Sequence, residues 1–131
     1  MALNPLLDSR DLRFVLFEVL EADKLNRYAQ FADFDKDTYE ATLELAEQIA
    51  VEQVYPANAD ADKTGAKYDP ETKSVKVPAG FHTAMATYRE SGFSGLSNGP
   101  EYGGTGMPET IYRAVMEYFC AAGVAFSSYD T

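Results

Sequence analysis

The chain has 131 residues, 46% of them hydrophobic and seventeen of them Phe or Tyr, enough for one domain with a buried core and too apolar for general disorder. Its formal charge of −10 sits mainly in residues 1–62, where fourteen acids face five bases, which disfavours nucleic acid, anionic lipid and polyphosphate as partners of that half. A single cysteine, Cys120, excludes an internal disulfide, and no run approaches the roughly 18 apolar residues of a membrane span, so a cytoplasmic setting is expected.

In chain order, "DSRDLRFVLFEVLEADKL" opens with Asp8 or Ser9 as cap and continues as a helix. Leu12, Val15, Leu16 and Val19 mark its face, and Phe14, Phe17 and Leu20 widen it beyond one stripe. A helix this apolar must dock, either in the core or on a partner. A short helical stretch around "KLNRYAQF" and a turn follow. "DKDTYEATLELAEQIAVEQVYP" is the clearest helix, with Tyr39, Leu43, Ala46, Ala50 and Val54 on one face. Its acids Glu40, Glu44, Glu47 and Glu52 are expected mostly to face water, and Pro56 to end it.

"NADADKTGAK" reads as a polar loop, and "AKYDPETKSVKVP" as a short two-stranded hairpin turning at Asp69-Pro70. "PAGFHTAMATYRESG" returns to helix, with Phe81, Met85 and Tyr88 inward and Ser91-Gly92 as the stop. Residues 91–108 form a loop holding six glycines. "PETIYRAVMEYFCAAG" is a second almost wholly apolar helix, with Pro108 suited to its first turn and Gly123 to its end. The tail "VAFSSYDT" carries no stop signal, so the chain reads as ending mid-structure. The expected fold is all-α: a four- to five-helix bundle with one small β-hairpin. Its apolar surface is expected to make the isolated chain self-associate.

Several motifs imitate known chemistry. "DFDKDTYEATLE" and "DADKTGAKYDPE" space their oxygens like calcium loops, the second placing Asp60, Asp62, Thr64, Gly65 and Glu71 at positions 1, 3, 5, 6 and 12. The first lacks the glycine, and the second is followed by strand alternation where a calcium hand needs a helix. His82 has no second histidine or cysteine cluster with which to build a zinc site or a triad. Cys120, between Phe119 and Ala121, reads as a small core residue. The loop "GPEYGGTGMPET" fails both phosphate templates. Glu109 stands where a dinucleotide fingerprint wants glycine, and Thr105 where a P-loop wants lysine.

The stretch "LSNGPEYGGTGMPETIYRAVMEYFCAAGVAFSSY" resembles the flavin-dependent acyl-CoA dehydrogenases, in which a P-E-x-Y-G-G-x-G-L/M-P loop precedes an apolar helix. "DLRFVLFEVLEADKL" is similar to the N-terminal extension of one long subgroup, and "VPAGFHTAMATYRESGFSGL" to the helix between, where the family often has tryptophan at the position of Phe93. The resemblance implies an extension over 1–35 and an N-terminal α domain over 36–131, ahead of a middle β domain and a C-terminal bundle. It implies FAD, an acyl-CoA substrate desaturated between Cα and Cβ, an electron-transfer flavoprotein and a homo-oligomer. A carboxylate of a later domain would remove the α-proton, so this chain supplies no catalytic base and alone is expected to be inactive and to retain no FAD. By position, Tyr102, Gly103 and Gly104 on the loop and Met116, Glu117 and Cys120 on the helix would form part of the acyl and flavin pocket wall. Glu117 matches a glutamate common on that helix and is not the base. Two other readings stand beside it: a non-catalytic helical interaction subunit, and a calcium-binding loop protein.

Overall fold

The sequence alternates long apolar-striped segments with glycine-rich joints, and the fold follows that punctuation closely at its C-terminal end and less closely at its N-terminal end. The computed structural model describes residues 4–129. The last two positions of the tail, 130 and 131, lie outside the described residues. Six α-helices follow in order: α1 (Ser9–Phe14), α2 (Lys36–Ile49), α3 (Tyr55–Thr64), α4 (Ala79–Glu90), α5 (Glu109–Ala122) and α6 (Val124–Ser127). Between α3 and α4 lies one antiparallel hairpin, β1 (Lys67–Asp69) and β2 (Ser74–Lys76). The fold is all-α with a small two-stranded sheet, as the periodicities imply.

Asp8 caps α1, accepting from the amides of Arg10 and Asp11. The helix does not run on to Leu25. It widens into a π-turn over Val15–Val19 and breaks at Glu21, which adopts a left-handed φ of 50°. Leu12 and Leu16 are buried, whereas Val15 and Val19, expected on the same face, are exposed together with Phe14 and Leu20. The π-turn alters the pitch, so the predicted stripe of four is split. Short 3₁₀ turns over Ala22–Arg27 and Ala29–Phe31 lead to α2.

Helix α2 is capped by Asp35 and buries Tyr39, Leu43, Ala46 and Ile49. Here Pro56 behaves differently from expectation. A π-turn over Ala50–Val54 carries the chain straight into α3, with the proline in the first turn of that helix. The wider π-turn before it takes up the missing donor and the bulk of the ring, which would break a regular α-helix, so the helical path continues. The segment "NADADKTGAK", expected as a loop, is therefore largely helical through Thr64. It closes where the Gly65 amide donates to Ala61 at 2.8 Å with a φ of 65°.

The C-terminal helices pack around an aromatic cluster. Tyr88 of α4, Phe119 of α5, Phe93 of the loop and Phe126 of α6 are each buried to within 2%. Ring centroids lie 4.9 Å apart for Tyr88–Phe119, 5.3 Å for Phe93–Phe119 and 5.9 Å for Tyr88–Phe126. These are edge-on arrangements, each worth about 0.5–1.5 kcal/mol beyond area burial. Helix α5 is the spine of the bundle. Its Ile111, Ala114, Val115, Tyr118, Phe119 and Ala122 recur at helical spacing and are buried against α2, α4 and α6.

Candidate functional site

The glycine loop is built from its own backbone. The amide of Asn98 donates to Gly95 at 3.0 Å, Tyr102 to Gly99 at 2.9 Å, Gly103 to Pro100 at 3.0 Å and Gly104 to Gly99 at 3.2 Å. Gly106 donates to Asn98 at 2.8 Å and Met107 to Leu96 at 3.0 Å. A phosphate cradle needs successive N–H groups left free and converging outward. Here the amides of residues 102, 103, 104, 106 and 107 are spent inside the loop, so the missing lysine and third glycine have a structural counterpart.

Two adjacent glycines have different reasons to be glycine. At Gly104 a Cβ would lie 2.1 Å from the Asn98 carbonyl oxygen and 2.4 Å from that of Gly95, so the loop's own backbone fills the space. At Gly103 the space is open, and the requirement is the left-handed φ of 80°. Gly104 is thus a packing glycine facing the loop interior, and Gly103 presents bare backbone outward. Tyr102 beside it is 81% exposed. Buried Phe93, Leu96, Met107 and Pro108 root the loop in the core.

On α5 the remaining candidates divide. Met116 is buried, its Sδ 3.8 Å from the Tyr88 hydroxyl. Glu117 and Cys120 are exposed one turn apart on the outward face. The expectation of Cys120 as a core residue is corrected. The buried stripe runs through residues 111, 115, 118, 119 and 122, which leaves position 120 on the solvent side, where its thiol lies 3.4 Å from the Ser127 hydroxyl. The loop stands at the start of α5, whereas Met116, Glu117 and Cys120 lie about 10–17 Å further along by helical rise. The six residues form two patches along one helix.

Among the described residues, surface depressions of about 610, 350 and 830 Å³ are present. The first runs along α2 past Glu44, Leu45 and Val51; the second lies between Val77, His82, Met85 and Tyr129; the third lies between α1 and the start of α2. None of the three is lined by the six candidates. Among the described residues no group of three or more His, Cys, Asp or Glu could hold a metal ion. Asp60, Asp62 and Thr64 lie on α3, so the would-be calcium loop is helical over its first half and cannot wrap its oxygens round an ion. No helix among the described residues is long and apolar enough to cross a membrane.

One polar network escaped sequence reasoning. Arg13 of α1 donates to Glu40 Oε2 at 2.7 Å, to the Ser9 carbonyl at 3.1 Å and to the Tyr118 hydroxyl at 3.3 Å. Tyr118 donates in turn to Glu47 Oε2 at 3.3 Å, and Asn4 to Glu47 Oε1 at 2.8 Å. Two of the four glutamates expected mostly to face water therefore hold α1 against α2 and α5. Burial works against the charge on Arg13, but the bond to Glu40 and the nearby Tyr118 outweigh it and raise its pKa above the usual guanidinium value. Burial raises the Tyr118 phenol, with Glu47 adding to the effect against the opposing pull of Ser9 and Arg13. Glu40 and Glu47 share a face of α2 at seven residues' spacing, but no local signal joins them to residues 13 and 118, whose separations exceed any helical period.

No protein-family model matches the chain. The chain is 31% identical over 120 residues to the broad-specificity linear acyl-CoA dehydrogenase FadE5 of Mycobacterium tuberculosis, which covers 92% of this chain and 20% of that protein. It is 26% identical over 117 residues to the 3-methylmercaptopropionyl-CoA dehydrogenase of Ruegeria pomeroyi, covering 89% of this chain and 20% of the relative. The chain thus spans about a fifth of the length of these curated relatives. Both are acyl-CoA dehydrogenases, so the similarity that the loop and helices suggest extends over nearly the whole chain.

Proposed function

We propose that this chain is the N-terminal α domain of an FAD-dependent acyl-CoA dehydrogenase, with residues 1–35 as an extension and 36–131 as the domain proper. The observation that carries this reading is similarity to two dehydrogenases over about nine-tenths of the chain but a fifth of theirs. In that setting the outward backbone at Gly103, the exposed Tyr102 and the outer face of α5 at Glu117 and Cys120 form part of a pocket wall, with Gly104 and Met116 supporting it from behind. The parent reaction is desaturation of an acyl-CoA thioester, with electrons leaving to an electron-transfer flavoprotein.

The described residues fit a wall and do not fit a complete flavin site. The loop amides at 102, 103, 104, 106 and 107 are already bonded, and none of the three depressions is lined by the candidates. The contribution of this chain is therefore shape. Flavin supplies the hydride-accepting chemistry when bound in the parent.

Cys120→Trp tests the reading. The side chain is exposed, so the substitution leaves the thermal midpoint of the 131-residue chain within a few degrees. In the full-length parent it should lower kcat/KM for acyl-CoA by tenfold or more, on the order of 1.4 kcal/mol. An unchanged kcat/KM removes Cys120 from the wall. Stoichiometric FAD retained by the purified 131-residue chain overturns the division of labour between this domain and the remainder.

A further inference from the structure

The hairpin is the basic exception in an acidic chain. Lys63, Lys67, Lys73 and Lys76, four of the six lysines, fall within fourteen residues that contain only two acids, Asp69 and Glu71. All four are exposed, and among the described residues none takes part in an ion pair. The register places Lys67 directly opposite Lys76, a like-charge cross-strand pair that disfavours the sheet unless an anion lies nearby. The next pair, Tyr68 opposite Val75, faces the other side and is also bare, at 63% and 59% exposure. A two-stranded hairpin with neither face covered is marginal by itself. Its turn is nevertheless well made, with Asp69 accepting from the amides of Glu71 and Thr72 at 2.9 and 3.4 Å.

The complement of this element is present on the same chain. The depression of about 610 Å³ along α2 and the π-turn after it is lined by apolar Ala41, Leu45 and Val51, with Glu44 and Glu52 among its polar lining residues. Both glutamates are exposed and Leu45 is half-exposed. Its charge is opposite to that of the hairpin, and its apolar residues offer cover for the bare Tyr68 and Val75. The flexible stems of Lys67 and Lys76 allow their ammonium heads to reach past the strand edges toward the glutamates.

We propose that the hairpin of one copy docks in the α2 depression of a second copy, Tyr68 and Val75 against Leu45 and Val51, and Lys67 and Lys76 toward Glu44 and Glu52. The repulsion between two chains of net charge −10 does not forbid this. At physiological ionic strength charges beyond about 8 Å are largely screened, whereas contacting pairs are not. The contact joins two different patches, so it is heterologous and repeats from copy to copy into a ring or an open array. A patch this small gives a weak association.

Charge reversal tests the docking on the full 131-residue chain. Sedimentation velocity of the unaltered protein at up to millimolar concentration should show reversible species larger than a dimer. Lys67→Glu/Lys76→Glu and Glu44→Lys/Glu52→Lys, each made only at exposed positions, should each lower the association constant by about tenfold or more. An equimolar mixture of the two variants pairs every acidic patch with a basic one, and association should return. A monomeric unaltered chain at that concentration overturns the proposal. So does association that survives either reversal, or a mixture that fails to restore it. Circular dichroism confirms that both variants fold.

Discussion

The two ends of the chain carry similar apolar density and use it differently. At the C-terminal end, Tyr88, Phe93, Phe119 and Phe126 gather their rings into one buried cluster, although Val124 and Tyr129 beside it stay exposed. At the N-terminal end, α1 and its π-turn bury Leu12 and Leu16 but leave Phe14, Val15, Val19 and Leu20 exposed, and polar bonds from Arg13 supplement the two buried leucines. Apolar content alone does not say which helix is core. The difference comes from continuity: α5 keeps one pitch for fourteen residues, so its stripe stays aligned, whereas α1 changes pitch after six.

The sharpest way to break this contrast is at the cluster. Phe119→Ala removes a fully buried ring in contact with Tyr88 and Phe93, and should cost about 3–5 kcal/mol in urea denaturation. A loss under about 1 kcal/mol would mean that the C-terminal end is no better committed than the N-terminal one.

The glycine pair of the loop gives the next effect. Gly104→Ala forces a methyl against two carbonyl oxygens of the loop and should cost about 1–3 kcal/mol. Gly103→Ala meets open space and carries only the left-handed penalty of about 1–2 kcal/mol. Equal midpoints in thermal denaturation at the high end of both ranges would contradict the separate roles assigned to the two positions.

Local chemistry made the C-terminal half legible. Gly92 and Gly123 end helices where such residues should, Pro108 stands one position earlier than expected as the cap of α5, and the Asp69-Pro70 turn joins the two strands. The N-terminal half was harder because its decisive features are not local. Pro56 reads as a stop until a π-turn places it in the first turn of a continuing helix. Four glutamates along α2 and the π-turn after it look equivalent until Arg13, separated by 27 residues from one of them, selects two. The candidate wall was legible as a loop and a helix face, but burial on α5 depends on which neighbours pack against it. That dependence moved Cys120 from the expected core to the surface.

Arg13 tests how α1 is held. Arg13→Ala leaves Glu40 and Glu47 without their cation in a partly buried setting and should cost about 1–2 kcal/mol, less than the loss of a core ring. The larger signature is local. Hydrogen exchange should accelerate over residues 9–19 while the amides of α5 retain their protection, because the cluster around Phe119 does not depend on Arg13. Loss of protection in both regions together would show one cooperative unit.

The smallest expected effect comes from the uncovered face of α1. Val19 and Leu20 are 59% and 57% exposed, so Val19→Ser/Leu20→Ser removes little that folding has buried. The midpoint should move by no more than about 0.5 kcal/mol in equivalent stability. The same variant separates two origins of self-association. Docking through the hairpin leaves the sedimentation profile of Val19→Ser/Leu20→Ser unchanged, because these side chains are absent from both the hairpin and the α2 depression. If the variant instead becomes monomeric while remaining folded, the exposed face of α1 is the adhesive surface, and the contrast between the two ends becomes one between a core built for folding and a face available for assembly.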